Sequence, residues 1–148
     1  MKLTWNDLII QNIAHEEMQT WIAPWSHLLT GKFAPVFMSM FGDWFLRRPD
    51  GSTDELSVIE GTLKRIAATP EEFVAIVNGV EWQEEHLLSF HVGRLHERGL
   101  IPGIRECYGF APHPVFTGRI DLGFARIFTI RVWQSIAAQS FYRATPNE

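Results

Sequence analysis

Apolar and polar positions alternate over short distances between residues 34 and 67, and turn-forming residues separate the runs. Such alternation is typical of β-strands, and Gly42-Asp43 and Arg48-Pro49-Asp50-Gly51 mark tight turns between them. Strands joined by such short loops pair with their sequence neighbours in antiparallel fashion. The pattern therefore predicts an antiparallel meander with strands at about 34–40, 44–47, 54–59 and 62–67.

A helix start follows the meander directly. Thr69-Pro70-Glu71-Glu72 places a hydroxyl acceptor at the N-cap, proline at the first helical position and glutamate at the third. Asn78-Gly79 ends this helix. The other predicted elements are a first helix at about 6–20, a helical turn opening at Pro24, a longer helix at about 80–98, a loop at 99–122, a strand at about 124–129 and a terminal helix through 132–140.

The composition adds a fold class and a compartment. Hydrophobic residues make up 46% of the 148 residues and charged residues 20%, as in ordinary soluble globular proteins. We expect one α+β domain over 1–148, in which a sheet of four to five strands packs against helices and the tail at 143–148 frays. The single Cys107 excludes an internal disulfide framework, and no apolar run approaches the roughly 18 residues that span a bilayer. The opening segment is too polar for a signal-peptide core, so a cytoplasmic location without membrane contact is expected.

Charge is distributed unevenly, although the formal net charge is only −4. Residues 50–85 carry nine carboxylates against Lys64 and Arg65, a balance of −7, whereas residues 86–148 carry seven arginines against four carboxylates, a balance of +3. The arginines are scattered and form no cluster of the kind that binds phosphates. This layout argues against direct nucleic-acid binding and favours a basic protein as partner.

Three histidines at intervals of five residues, His86, His91 and His96, fall in the predicted longer helix. Each step of five turns the side chain by about 140° around the helix, so no two share a face as an i, i+4 metal-binding pair does. We expect His91 to lie among apolar side chains and the other two to face solvent. No metal site and no cofactor is predicted.

The sequence evidence for a catalytic pair of residues is equally weak. Cys107 and His113 resemble a thiol and its base, but a reactive thiol needs a positive or basic environment, and a lone loop cysteine shows neither. Cys107 is expected to be a small buried side chain beside Tyr108. The adjacent glutamates at 71–72 and at 84–85 point about 100° apart on a helix and do not face a common substrate. A binding protein is therefore favoured, and no enzymatic activity is expected.

Three segments of the chain follow one another in an order that resembles that of a known protein family. A tryptophan-containing lead-in and strand at 21–46 ends in Phe41-Gly42-Asp43 and an aromatic pair; the Asp50-Gly51 turn and the helix start at 69–73 follow; and Glu106-Cys107-Tyr108-Gly109-Phe110 precedes a helix carrying Gln139. This order resembles the C-terminal domain of bacterial immunity proteins that neutralise type VI secretion DNase effectors. The resemblance covers about residues 20–142.

The resemblance implies an α+β protein that binds and blocks a cognate toxin, without chemistry of its own. The acidic middle of the chain fits independently, because nuclease toxins tend to be basic and charge complementarity speeds association. A monomer or a weak homodimer is expected. The predicted partner surface consists of acidic side chains and an exposed tryptophan: Asp50, Asp54, Glu55, Glu81, Trp82, Glu84 and Glu85.

A second interpretation makes the domain a small-ligand binder or an enzyme, with the 99–122 loop as a lid over a concave pocket. Its candidate polar contacts are Arg105, Tyr108, His113 and Arg119. If Tyr108 and Phe110 instead plug the core, this interpretation loses its site. A third, a structural homo-oligomer subunit, requires an apolar patch of aromatic side chains on one face.

Overall fold

Two antiparallel sheets and seven α-helices make up the part of the chain, residues 3–144, that the computed structural model describes. The larger sheet has five strands in sequence order, β1 (Ile9–Ile10), β2 (Ala34–Ser39), β3 (Trp44–Arg47), β4 (Thr53–Ser57) and β5 (Thr62–Ala67). The smaller sheet pairs β6 (Glu106–Phe110) with β7 (Ala125–Thr129). The predicted single α+β domain with a meander of four to five strands is confirmed.

The helices begin and end at residues with recognisable local signals. They are α1 (Trp5–Leu8), α2 (His15–Ile22), α3 (Pro70–Val77), α4 (Val80–Leu87), α5 (Ser89–Glu97), α6 (Pro114–Thr117) and α7 (Ile130–Ala144), with 3-10 turns at Ala23–Leu28 and Leu122–Phe124. At the start of α3, Thr69 Oγ1 accepts a hydrogen bond from the Glu72 N–H at 3.1 Å, as predicted. The Gly51 N–H likewise closes the predicted turn onto the Arg48 carbonyl at 3.0 Å.

Side chains of β3 alternate between the two faces of the larger sheet, and different helices cover each face. The Phe45 ring lies 6.3 Å from that of Phe73 in α3 and 5.6 Å from that of Trp82 in α4. Trp44, one residue earlier, points the opposite way and donates its indole N–H to Gln134 Oε1 of α7 at 3.1 Å. We refer to these as the α3–α4 side and the α7 side.

On the α7 side a buried glutamine ties the terminal helix to the sheet. Gln134 is fully buried, and its Oε1 accepts the indole N–H of Trp25 at 2.8 Å as well as that of Trp44. Its Nε2 donates to the Gly42 carbonyl at 2.8 Å, at the turn between β2 and β3. Because an unpaired buried polar group is costly, these three bonds fix the register of α7 against the turn.

The turn between β4 and β5 is held on the same side. His113 Nε2 donates to the Val58 carbonyl at 2.8 Å, while Nδ1 accepts from the Val115 N–H at 2.9 Å, so the ring must be the neutral Nε2–H tautomer. Burial lowers the pKa of His113. Gly61, with φ of +72°, lies so close to Phe141 that a Cβ would be 2.8 Å from the ring. Both hairpin turns are therefore packed against the C-terminal half of the chain.

The predicted first helix at 6–20 is wrong, because it is two helices separated by a strand. α1 ends at Leu8, and Ile9–Ile10 then pairs with β2. Asn12 takes φ of +56°, a left-handed conformation through which a helix cannot continue. The edge strand buries Ile9 and gives the sheet its fifth member.

The predicted longer helix at 80–98 is also divided. Leu88 has φ of +52° and separates α4 from α5. Because the break changes the direction of the chain, helical spacing carried through it misplaces the second half. His96 is buried and His86 partly buried, where solvent exposure was predicted for both, and His91 is partly buried.

The predicted loop at 99–122 contains regular structure. β6 lies inside it and pairs with β7, and α6 follows. The Tyr108 N–H also donates to the Met40 carbonyl at 2.8 Å, which attaches β6 to the β2–β3 turn. The pairing partner of β6 lies at Ala125–Thr129, so local sequence gave no sign of it.

The C-terminal helix continues to Ala144, and the rest of the predicted tail, 145–148, lies outside the described residues. Within the described part of the chain, none of the helices has the length and apolar character needed to cross a membrane.

Candidate functional site

The exposed surface of α3 and α4 is acidic. Between Arg65 and Arg94 the chain carries five glutamates and no lysine or arginine. Two valines on these helices, Val74 and Val80, are 61% and 72% exposed and add apolar contact area. We define the acidic face as these two valines with the five exposed glutamates Glu71, Glu72, Glu81, Glu84 and Glu85.

A cavity of about 240 Å³ opens beside the acidic face, between the sheet and α4. Glu55 of β4 and Lys64 of β5 are cross-strand neighbours and line one wall. Glu85 and His86 of α4 line the other wall. We refer to it as the β4–β5 cavity. It is continuous with the acidic face, because Glu85 belongs to both.

A histidine–carboxylate pair lies at the wall of this cavity. His86 Nδ1 is 2.6 Å from Glu55 Oε1, and His86 Nε2 is 3.9 Å from Glu85 Oε2. The hydrogen bond with Glu55 raises the pKa of His86, against the opposing effect of burial. The Trp82 ring stacks on the imidazole with centroids 4.8 Å apart and fixes its orientation.

Asp43 places a further carboxyl group in the same cavity. The residue is only 5% exposed, and its Oδ1 accepts the Val58 N–H at 2.8 Å. Burial, followed by the nearby Glu55 carboxylate, raises the pKa of Asp43 well above its usual range. Asp43 therefore joins the β2–β3 turn to the β4–β5 turn and also lines the cavity.

Three of the predicted partner residues, Glu81, Glu84 and Glu85, lie exposed on the acidic face. Glu55 lies instead inside the cavity, where it binds His86. The structure thus brings Glu55 and Glu85 to one cavity from β4 and α4 and leaves Glu81 and Glu84 on the surface beside it.

Asp50 and Asp54 lie around the Arg48–Gly51 turn. Asp50 is exposed, and its Oδ1 accepts the Ser52 N–H and hydroxyl, which lowers the pKa of Asp50. Asp54 is 8% exposed, and its Oδ2 accepts from Arg48 Nε at 2.8 Å. The Asp54 carboxylate is thus engaged within the fold.

The prediction that Trp82 is an exposed aromatic is wrong. Its ring lies between Phe45, Phe73 and His86, with centroid distances of 5.6, 6.0 and 4.8 Å. The indole N–H is buried and has no hydrogen-bond partner among the described residues. Trp82 occupies the α4 position that faces the sheet, so it supports the acidic face from beneath.

Two residues of the ligand-pocket interpretation are buried in the fold. Tyr108 and Phe110 of β6 pack on Phe41, with ring centroids 5.1 and 5.7 Å away. The Tyr108 hydroxyl donates to the Leu100 carbonyl, and burial raises the pKa of Tyr108 to about 12. His113 is held at the β4–β5 turn. These side chains plug the core and are engaged within the fold, whereas Arg105 lines a separate cavity of about 450 Å³ between residues 102–106 and β1.

The other two residues of the ligand-pocket interpretation, Arg105 and Arg119, are exposed, and each pairs with a different acidic side chain. Arg105 Nε lies 2.6 Å from Glu17 Oε2, and an Arg119 guanidinium nitrogen lies 3.4 Å from Asp121 Oδ2. Arg105 has φ of +60° and precedes β6, whereas Arg119 follows α6.

The expectation for Cys107 is confirmed. The thiol is free and fully buried, and burial raises the pKa of Cys107, which disfavours the reactive thiolate. Across residues 3–144, no three His, Cys, Asp or Glu side chains converge to hold a metal ion.

Sequence reasoning missed Asp43 and the two exposed valines. Asp43 was assigned only to a hairpin turn, although a carboxylate inside the aromatic segment at 41–45 signals a buried polar role. Val74 follows the inward-facing Phe73 by one helical position, so its exposure follows from helical spacing.

In comparisons with protein families and with curated proteins, no family model and no curated protein matches the chain. The immunity-protein resemblance stays a prediction.

Proposed function

We propose that this chain is a non-enzymatic protein-binding domain of the immunity-protein kind, which neutralises a basic bacterial toxin by direct contact through the acidic face. The observation that carries this proposal is that two consecutive helices, α3 and α4, expose five glutamates and two valines and carry no lysine or arginine. Apolar contact supplies affinity and the surrounding charge supplies speed and specificity of association.

The arrangement of charge supports a basic partner in particular. Residues 66–93 lack any lysine or arginine that would neutralise the five glutamates within the same segment. Glu81 and Glu84 are exposed, and neither forms an ion pair within the described residues. A positively charged surface approaching α4 therefore meets carboxylates that are free to respond.

The test is co-purification with the product of the neighbouring gene, because immunity genes lie beside those of their toxins. We expect a complex at micromolar concentration and protection of growth when the toxin is expressed. No complex at that concentration, with growth unprotected, would overturn the proposal.

A pair of charge reversals then locates the surface. Glu81→Lys with Glu84→Lys should weaken the complex by at least roughly tenfold, because like charges then face each other. The matched control is Glu16→Lys with Glu97→Lys, which makes the same change of net charge at exposed positions on α2 and α5. Equal weakening by both pairs would contradict a localised acidic interface.

A further inference from the structure

The β4–β5 cavity offers carboxyl groups at graded depth. Glu60 and Glu85 are at its mouth with side chains 62% and 78% exposed, whereas the Glu55 side chain is 13% exposed and Asp43 lies deepest at 5%. A positively charged group that enters from the acidic face therefore meets carboxyl groups along its whole path.

The cations already present leave the deep carboxyl group free. Lys64 and Arg65 have side chains 67% and 58% exposed. Lys64 pairs with Glu60 at the mouth, whereas Arg65 pairs with Asp50 and Asp54, which lie outside the cavity lining. His86 is bound to Glu55. Asp43 has no cationic partner among the described residues, and burial together with the neighbouring Glu55 and Glu60 carboxylates raises the pKa of Asp43. A cation beside it would lower that pKa.

Apolar side chains complete the lining. Ile59, Ile66, Leu88 and Ile120 line the cavity together with the carboxyl groups. A long side chain with an aliphatic stem and a charged end matches such a surface, because the stem packs on apolar atoms while the end is hydrogen-bonded. The volume of about 240 Å³ exceeds by far the roughly 10–15 Å³ that one water needs.

We propose, resting on the proposed function, that the β4–β5 cavity receives an arginine side chain of the partner protein, with its guanidinium among Asp43, Glu55 and Glu60. Arginine suits this place better than lysine because its planar group donates to two carboxyl groups at once. Glu85 stands at the junction of the cavity and the acidic face, so one partner surface covers both.

The test uses N-acetyl-L-arginine amide as the probe and needs no toxin. His86 lies in the cavity wall, so its imidazole NMR signals report occupancy. We expect a saturable shift with a dissociation constant in the millimolar range. The neutral isostere N-acetyl-L-citrulline amide should bind at least roughly tenfold more weakly, since it lacks the charge-assisted hydrogen bonds. No saturable shift, or equal shifts with both probes, would overturn the proposal.

Variants assign the shift to the cavity. Glu60→Gln should weaken arginine-amide binding by at least about threefold, and Asp43→Asn, which retains an acceptor for the Val58 N–H, should weaken it further. Glu97→Gln, at an exposed position on α5 outside both the acidic face and the cavity lining, is the matched control and should leave binding unchanged. Equal effects of Glu60→Gln and Glu97→Gln would place the probe outside the cavity.

The two proposals fail separately. If the toxin binds but arginine amide leaves His86 unchanged, the cavity proposal falls and the proposed function stands. If arginine amide binds as expected and no toxin complex forms, the proposed function falls instead. In a toxin complex, we expect excess arginine amide, but not citrulline amide, to weaken association.

Discussion

The two faces of the larger sheet use polar side chains in opposite ways. On the α7 side, Gln134 and His113 are buried, neutral and hydrogen-bonded at both ends of the side chain. Trp133 adds a further buried bond from its indole N–H to the Phe41 carbonyl at 2.8 Å. These groups are buried and engaged in bonds within the fold.

The α3–α4 side carries charge and unused hydrogen-bonding capacity. Glu81 and Glu84 are exposed, the Glu55–His86 pair lies in an open cavity, and the Trp82 N–H is buried without a partner within the described residues. Polar residues on the α7 side specify the fold, whereas polar residues on the α3–α4 side are available for recognition. Substitutions on the α7 side should change stability, and those on the α3–α4 side should change binding.

The largest expected effect is at Gln134. Gln134→Leu leaves two indole N–H groups and the Gly42 carbonyl buried without partners, which should lower the free energy of unfolding by roughly 3–6 kcal/mol. Gln139→Leu is the matched control on the same helix, because Gln139 is exposed, and it should change stability by less than about 0.5 kcal/mol. Urea unfolding measures both. Similar values for the two variants would show that the buried network does not hold the α7 side.

Gly109 gives the next largest effect. A Cβ at this position would lie 2.6 Å from the side chains of Phe128 and Trp133, so Gly109→Ala should destabilise the domain by roughly 1–3 kcal/mol. Gly93→Ala in helix α5 is the control, since the added Cβ would contact only the Leu3 side chain, at 3.9 Å. It should stabilise by roughly 0.5–1 kcal/mol. Thermal unfolding of both distinguishes overpacking from a general effect of replacing glycine.

His113 and His86 should give opposite pH dependences. Burial depresses the folded-state pKa of His113, so its contribution to stability is present above about pH 6.5 and is lost as the pH falls toward that depressed pKa. The folded-state pKa of His86 is raised, so its contribution is full below about pH 6.5 and is lost as the pH rises through the folded-state pKa.

Urea unfolding from about pH 5 to about pH 8 checks this. Relative to the wild type, His113→Asn should lose less stability toward acid, and His86→Gln should lose less toward alkali. The difference between wild type and each variant cancels the titration of Asp43 and His91, which both proteins share. If the two variants changed the pH dependence of stability in the same direction, the opposite pKa shifts assigned to His113 and His86 would be contradicted.

The smallest effect on stability is expected on the acidic face. Glu81→Gln with Glu84→Gln should change the free energy of unfolding by less than about 0.5 kcal/mol, because both side chains are exposed. The same pair should slow association with a basic partner, and the difference from wild type should shrink as salt screens the charges. Stopped-flow association at two ionic strengths measures it. A large loss of stability would show that these glutamates serve the fold.

Caps, turns and strands that depend only on neighbouring residues could be predicted from the sequence. The Thr69 cap and the Arg48–Gly51 turn depend on neighbouring residues only, and β3 and β5 have the bounds predicted for them. Asn12, Leu88 and Arg105 all take positive φ without being glycine, and each breaks or precedes an element that the pattern misjudged. Leucine and arginine rarely adopt a left-handed conformation, so helical spacing alone does not anticipate these positions.

The candidate site was only partly predictable for the same reason. Charge counting located Glu81, Glu84 and Glu85 because they lie together in sequence. The cavity combines Asp43 of a turn, Glu55 of β4 and His86 of α4, and only tertiary structure brings them together. The resemblance points to Gln139 on the terminal helix. The buried Gln134, five residues earlier, is the glutamine that bonds to Trp25, Trp44 and Gly42.

Hydrogen–deuterium exchange of the domain with and without the proposed toxin partner tests the division between the two sides. We expect slower exchange in peptides from residues 70–87, which form α3 and α4, and little change in residues 130–144 of α7. Protection of residues 130–144 or 99–110, with residues 70–87 unchanged, would contradict it.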